Sequence, residues 1–290
     1  MPKKDLMTIR VTVMSIGGRG ANVMERIAAM ALPGVRLVGV GARGKTFDRL
    51  VIREKIELSG RGIAEKASEI KAVVEQTDIL FLLGNVAGEE SAAQCDEVAK
   101  IARKCGALTF FVGAFPFAFE GRPKLKLADD NVAMLNQSVD GVLTVDGDRL
   151  LAADANAQDA LTKTDQVVAS MIRNIVDLVM KFGVVNVDFS DLKTTVQNAG
   201  EIFFNAVTVP RAEIASVATK LLAETSLRQA SRKLTRALYV IYGSADLLME
   251  EISLIGQKIA ECTSDDARII FGVVAEGERV EEVKVVLIGA

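Results

Sequence analysis

Short apolar runs alternate with amphipathic segments along the first 150 residues. Runs rich in β-branched and aromatic residues lie at 8–16, 35–41, 78–84 and 108–115. Segments with helical spacing of apolar residues lie between them, at 22–31, 63–76 and 89–104. Continuous apolar runs of this length are typical of strands that are buried on both faces of a parallel sheet. The pattern therefore predicts an α/β fold in which helices cover both faces of that sheet.

The longest helical pattern spans residues 157–182, where apolar residues recur at three- and four-residue steps. A helix of this length extends roughly 39 Å at 1.5 Å per residue, which is enough to connect two lobes. A segment with glycine and aspartate follows at 183–191, and we expect it to be exposed at one pole. Apolar runs at 234–243, 267–277 and 280–290 predict further strands. We expect a parallel-sheet domain at 1–156, a connecting helix at 157–182 and a smaller α+β domain at 183–290.

The composition narrows the chemistry that is open to the chain. Lys and Arg number 35 against 38 Asp and Glu, and the charges are interspersed, which argues against a nucleic-acid partner. Histidine is absent, which excludes a Ser-His-Asp triad and any His-ligated metal site. Three cysteines without CxxC spacing fit reduced thiols. No apolar run approaches the roughly 18 residues that span a bilayer, so we expect a cytoplasmic protein without membrane insertion.

The first predicted strand leads into a glycine-rich segment, GGRGAN at 17–22. Glycines at such a turn let backbone N–H groups approach phosphate oxygens, and a following helix adds positive potential. The segment lacks the last glycine of GxGxxG, however, and a strand-to-helix turn without a ligand needs similar glycines. From this segment alone, both interpretations stay open.

Several later segments also contain motifs that bear on the interpretation of the glycine-rich segment. FPFAFEGR lies at 115–122, GDRLL at 147–151 and NVDFSD at 186–191. In this order they resemble the motifs PFxFEG(R/K), NDRLL and NxDxxD of the FtsZ branch of the tubulin/FtsZ superfamily, and GGRGAN is similar to its GGxGxN. Each motif alone is unspecific, but together they extend the resemblance over nearly the whole chain.

The resemblance implies a Rossmann-like nucleotide-binding lobe, a long central helix and a smaller C-terminal lobe, stacked head to tail into protofilaments. The residues that it assigns to GTP or GDP are Gly17, Gly18, Gly20, Asn22, Gly88, Glu120 and Asp165. In this family the NxDxxD loop of one subunit reaches the nucleotide of the next. By resemblance, Asp188 and Asp191 would orient the attacking water, and Asn186 would contact the neighbour's nucleotide. Carboxylates suit this role because phosphoryl transfer depends on positioning and charge stabilisation.

The sequence also departs from the family at the phosphate-binding loop. The family's GGGTGTG falls on AGEESAA at 87–93, where Gly88 alone remains. Glu89 and Glu90 suit the start of a helix, but their charge opposes phosphate. Gly147 replaces the asparagine of NDRLL, and Leu161 replaces the aromatic residue that stacks on guanine.

Three functions remain open on this evidence. The leading hypothesis is an FtsZ/tubulin-like cytoskeletal protein that forms head-to-tail filaments, with itself or with another FtsZ-type protein, and binds GTP weakly or not at all. The alternative is an active FtsZ-type GTPase in cell division, with magnesium offsetting the carboxylates. The remote alternative is an NADP-dependent oxidoreductase, in which Arg43 after the second strand meets a 2′-phosphate.

Overall fold

The computed structural model describes residues 9–59, 62–150, 156–223, 233–277 and 281–290. Leu151 of the GDRLL motif lies outside the described residues. Within them, no helix is both long enough and apolar enough to cross a membrane.

A parallel sheet forms the first lobe. Its strands are β1 (Val11–Ile16), β2 (Val35–Gly41), β3 (Glu54–Glu57), β4 (Ile79–Leu83), β5 (Leu108–Phe115), β6 (Gly141–Asp146) and β7 (Gly200–Glu201). They lie in the order β3-β2-β1-β4-β5-β6-β7, and every neighbouring pair is parallel. All residues of β1 and β4 are buried, as their predominantly apolar character predicts.

Helices cover both faces of this sheet. They are α1 (Gly17–Ala29), α2 (Lys45–Arg49), α3 (Ala67–Val74), α4 (Glu89–Cys105) and α5 (Arg122–Leu135). One face of the sheet shares a core with α1, and the other shares a core with α3, α4 and α5. The sequence pattern did not predict α5 or β6, and α1 begins at Gly17 instead of at the predicted Asn22.

The central helix α6 spans Ala157–Met180. It begins where the Asn156 side chain accepts a hydrogen bond from the Asp159 N–H at 2.9 Å, which caps a free donor of the first turn. It ends two residues before the predicted end because Lys181 is extended. Its apolar side chains belong to one core that contains residues of both sheets, so α6 joins the two lobes.

The second lobe is built on a mixed sheet. Its strands are β8 (Phe203–Pro210), β9 (Leu234–Gly243), β10 (Thr263–Ala275) and β11 (Glu282–Gly289), and its helices are α7 (Phe189–Val196), α8 (Val217–Ala223) and α9 (Met249–Ala260). The strand order is β10-β9-β11-β8, with β9 and β10 parallel and the other pairs antiparallel. The predicted architecture, a parallel-sheet lobe, a long helix and a smaller α+β lobe, is confirmed.

Candidate functional site

The carboxyl edge of the parallel sheet gathers most of the residues that the sequence analysis assigned to a nucleotide. Gly17–Gly20 follow β1, residues 84–88 follow β4, residues 116–120 follow β5 and Gly147 follows β6. Loops at this edge of a parallel sheet are the usual place for ligands in open α/β folds.

The glycine segment is not a loop but the first turn of α1. Gly17 has φ +72°, a conformation that favours glycine, and Gly18 faces open space except for Thr46 at 3.7 Å from an added Cβ. A Cβ on Gly20 would come within 2.4 Å of the Leu83 carbonyl oxygen. Helix α1 therefore needs Gly20 in order to pack against β4, whether or not a ligand binds.

The segment after β4 uses its own side chains to satisfy its backbone. Ser91 Oγ accepts the Asn85 N–H at 3.0 Å and lies 3.2 Å from the Ile16 carbonyl oxygen, to which it donates. Asn85 Oδ1 accepts the Ala87 N–H at 3.1 Å, and the Asn85 carbonyl accepts the Gly88 N–H at 3.1 Å. Three backbone N–H groups of this segment are thus already bonded within the chain, and Ser91 ties the end of β1 to the end of β4.

The carboxylates of Glu89 and Glu90 stand in the first turn of α4, with Gly88 at its N-cap. Both residues are exposed, and Glu90 accepts a hydrogen bond from Gln94 at 3.1 Å. Carboxylates at this position interact favourably with the helix dipole, and they also place negative charge beside the segment just described.

A pocket of about 510 Å³ lies between α1 and α6. Arginine side chains form much of its wall, and the residues that line it are Arg19, Asn22, Glu25, Arg26, Ala29, Arg49, Gln158, Leu161, Thr162 and Asp165. Two of the predicted nucleotide contacts, Asn22 and Asp165, thus meet in one cavity. Burial raises the pKa of Asp165 above its ordinary value, against the opposing effect of Arg19 and Arg26.

Glu120 is bound to its own neighbours instead of facing that pocket. Its carboxylate accepts the Phe117 N–H at 3.0 Å and lies 2.9 Å from the Lys124 ammonium group. Burial opposes ionisation of Glu120, but these hydrogen bonds outweigh it and lower the pKa of the carboxyl group. A Cβ on Gly147 would lie 2.5 Å from the Phe117 ring, so the ring takes the space in which the family motif has an asparagine side chain.

The acidic segment that follows α6 is exposed, as predicted, at Asn186 and Asp188. It is shorter than predicted, because α7 begins at Phe189 and Asp191 lies in its first turn. Asp188 Oδ1 accepts the Asp191 N–H and Asp191 Oδ2 accepts the Asp188 N–H, each at 3.0 Å, which is a capping box. Asn186 Oδ1 accepts the Gly183 N–H at 2.7 Å.

Helix α6 keeps the pocket and the acidic segment apart. Asp165 lies in the first half of α6, and the acidic segment follows its last residue, Met180. About 22 Å of helix separates Asp165 from Met180 at 1.5 Å per residue. Within one subunit the structure therefore does not bring the candidate catalytic residues together with the candidate nucleotide residues.

The contacts of Asn85, Ser91 and Arg19 were not predicted from the sequence. Arg19 could have been identified as a pocket residue from the sequence, because a long side chain within the glycine-rich turn lies beside any ligand that the turn binds. Arg43, offered as a contact for a 2′-phosphate, instead makes an exposed ion pair with Glu57 at 2.8 Å.

Comparison with known proteins agrees with this architecture, although no family model matches the sequence. The cell division protein FtsZ of Pseudomonas aeruginosa is 26% identical in an alignment of 306 positions that covers 97% of this chain and 77% of that protein. A structure of an empty FtsZ dimer from M. jannaschii has a TM-score of 0.85 at 24% identity, covering 98% of this chain and 89% of its own. CetZ2 from Haloferax volcanii, solved as a GTPγS-bound protofilament, has a TM-score of 0.83 at 13% identity, covering 97% and 92%.

The shared fold and the sequence similarity both extend over nearly the whole chain, and the motif order agrees with them. The chain is therefore FtsZ-like: it has the fold of FtsZ and CetZ2, and its sequence is similar to that of FtsZ over nearly its whole length.

Proposed function

We propose that this protein is a cytoskeletal subunit of the FtsZ/tubulin type, that it assembles head to tail into filaments, and that it binds GTP weakly or not at all. The proposed site has two parts on different subunits: the carboxyl edge of the parallel sheet on one, and the acidic face of residues 182–191 on the next. Cell division is the process named for its FtsZ relatives, and the cytoplasm is the expected compartment.

The observation that carries the proposal is the separation of these two parts by α6. Asp188 and Asp191 lie beyond one end of the helix, while Asp165 and the pocket lie near the other. The acidic face can meet a pocket only if the pocket belongs to another copy. Such a head-to-tail contact joins different surfaces and does not close, so it generates filaments.

Exposed apolar side chains support an interface at both ends. On the acidic face, Phe182 is 73% and Val184 is 78% exposed, and both lie within a few residues of Asp188. At the carboxyl edge, Phe119 is 67% exposed. Large apolar residues that are exposed together next to charges are typical of protein interfaces, whose cores are apolar and whose rims are polar.

The proposed nucleotide site has two ends, the pocket between α1 and α6 and the segment after β4, and they differ in how well they suit GTP. The pocket between α1 and α6 suits a base, because the buried Asp165 Oδ1 has no hydrogen-bond partner within the described residues. The segment after β4 suits a triphosphate poorly, because the N–H groups of Asn85, Ala87 and Gly88 are bonded within the chain. Glu89 and Glu90 add charge of the same sign as phosphate. These contacts support weak binding at most.

A working GTPase is the second candidate. The Asp165 oxygen favours it, since a nucleobase would supply the missing donor, and so does the glycine turn at the start of α1. Asp188 and Asp191 would then orient water at the nucleotide of the next subunit, with magnesium balancing the added carboxylates.

Sedimentation and electron microscopy of the full chain, with and without Mg-GTP over a range of protein concentrations, test the proposal. We expect filaments whose amount depends little on GTP, and no nucleotide retained through purification. Filaments that require GTP, with retained GDP, would favour the GTPase. Monomers at every concentration would refute the cytoskeletal proposal for the chain alone, and mixing with an FtsZ-type protein then tests a mixed filament.

A further inference from the structure

Arg19 extends from the first turn of α1 into the pocket and stands opposite Asp165. Its Nη2 lies 3.6 Å from Asp165 Oδ1, and the two side chains are 28% and 11% exposed. This distance makes an ion pair but is too long for a hydrogen bond. The carboxylate oxygen is thus buried, faces a guanidinium group, and still has no hydrogen-bond donor among the described residues.

The second predicted acceptor in the pocket also faces an arginine. Asn22 Oδ1 lies 3.4 Å from Arg49 Nη2, and the same guanidinium group bonds Glu25 through Nε at 3.0 Å. Asn22 and Asp165 are therefore both approached by guanidinium groups that belong to the chain itself.

The chemistry of these acceptors determines which hydrogen-bond donors suit them. An ionised carboxylate is an acceptor only, and its two oxygens match two adjacent, coplanar N–H donors. A guanidinium group has such an edge, and so does guanine, with its ring N–H beside its amino group. Adenine places a ring acceptor beside its amino group and offers only one donor there. Leu161, one turn before Asp165 on α6, gives the cavity an apolar wall for a flat ring.

We propose that Arg19 is an internal competitor for guanine: its guanidinium group occupies the place at which a guanine base would donate to Asp165. A base that enters the pocket must then displace the chain's own side chain from Asp165. This inference rests on the proposed function only in taking the pocket as a nucleotide-type site. It concerns the base alone and does not depend on the loop that faces phosphate.

Calorimetric titration with guanosine tests this directly, because guanosine carries no phosphate and is not repelled by Glu89 or Glu90. We expect Arg19→Ala to bind guanosine at least about tenfold more tightly than the wild type, the range for hydrogen bonds to a charged group. Arg173→Ala is the matched control. It removes an exposed arginine from α6, 4.0 Å from Asp177, and should leave guanosine binding unchanged. Adenosine should gain nothing from Arg19→Ala.

Unchanged guanosine affinity in Arg19→Ala overturns the proposal. Weaker binding also overturns it, and would show that Arg19 is a ligand contact. The double variant Arg19→Ala with Asp165→Asn separates competition from simple filling of space. We expect the gain to disappear, since Asn presents a donor where guanine needs an acceptor. A gain that survives in the double variant would mean that Arg19 only occupies volume.

Removing Arg19 leaves a buried carboxylate without its nearest cation, so each variant is first checked by thermal denaturation. If Arg19→Ala does not fold, Arg19→Gln retains much of the side-chain volume without the charge, and the same outcomes apply to it. Guanosine binding needs no assembly. A chain that forms no filaments but gains guanosine affinity would contradict the proposed function and support the competitor role.

Discussion

Replacing Asp188 by serine and Asp191 by glutamine separates two roles of the acidic face. In the structure these carboxylates cap α7, since each accepts the other's backbone N–H at 3.0 Å. In the proposed filament they also contact the next subunit. Serine at the N-cap and glutamine three residues later form a capping box as well, so this double variant keeps the cap and removes both charges.

The expected magnitudes differ for the two roles. Loss of the cap in Asp188→Ala should lower the free energy of unfolding by about 0.5–2 kcal/mol. For chains somewhat shorter than this one, each kcal/mol shifts Tm by roughly 2–4 °C. The double variant Asp188→Ser with Asp191→Gln should keep the wild-type Tm within about 2 °C. Its critical concentration for assembly should rise about tenfold or more, because removing one partner of a charge pair that is buried in an interface costs on the order of 2–5 kcal/mol of binding free energy.

The assay combines thermal denaturation with sedimentation at a series of protein concentrations, on the wild type, Asp188→Ala and the double variant. Assembly of the double variant at the wild-type critical concentration would refute the role of these carboxylates in the contact. Loss of assembly only in Asp188→Ala, in parallel with its lower Tm, would assign them to the fold alone.

Two further predictions concern the carboxyl edge of the parallel sheet. Gly20→Ala should destabilise the fold by about 1–3 kcal/mol, because its Cβ would meet the Leu83 carbonyl oxygen at 2.4 Å. Gly18→Ala should be neutral or stabilising by about 0.5–1 kcal/mol, because its Cβ would meet only Thr46 at 3.7 Å. Chemical denaturation of both variants measures these changes in the free energy of unfolding. Glu89→Gly with Glu90→Thr should tighten Mg-GTP binding by about fivefold to tenfold in calorimetry. Both glutamate side chains are exposed, so the repulsion is that in water, about 1 kcal/mol for a carboxylate about 4 Å from a phosphate oxygen. Unchanged affinity would mean that the internal hydrogen bonds of the loop, and not its charge, exclude the nucleotide.

The strands and the central helix were predictable because their signals are local. Unbroken apolar runs such as Ile79–Leu83 leave few options except a strand buried on both faces. The period of Ala157–Met180 identified α6 within two residues. Elements with weak patterns were missed: Glu54–Glu57 is a short, polar edge strand, and Lys45–Arg49 is a single turn with no buried residue.

The contacts that decide the chemistry of the candidate site were not predictable in the same way. Arg19 and Asp165 are far apart in the chain, and they meet only because α1 packs beside α6. Ser91 bonds the carbonyl of Ile16, 75 residues away, because β1 and β4 are neighbours in the sheet. Sequence reasoning could identify residue types that suit a nucleotide, but it could not show that the chain's own groups already face them.

If the carboxyl edge of the parallel sheet is a nucleotide site, as proposed, the chain's own groups oppose the ligand at two places in it. In the segment after β4, the side chains of Asn85 and Ser91 accept hydrogen bonds from backbone N–H groups that could otherwise donate to a phosphate. At the base end, Arg19 faces the carboxylate that a base would otherwise approach. A ligand that binds only the folded state stabilises it, and the gain is large when the ligand satisfies buried polar groups that would otherwise be unpaired. Under the proposed function, these internal contacts at both places reduce that gain, so nucleotide has less free energy with which to drive assembly. Control of assembly would then depend on the subunit surfaces, namely the exposed apolar residues and carboxylates of the acidic face and the arginine-lined pocket that would receive them.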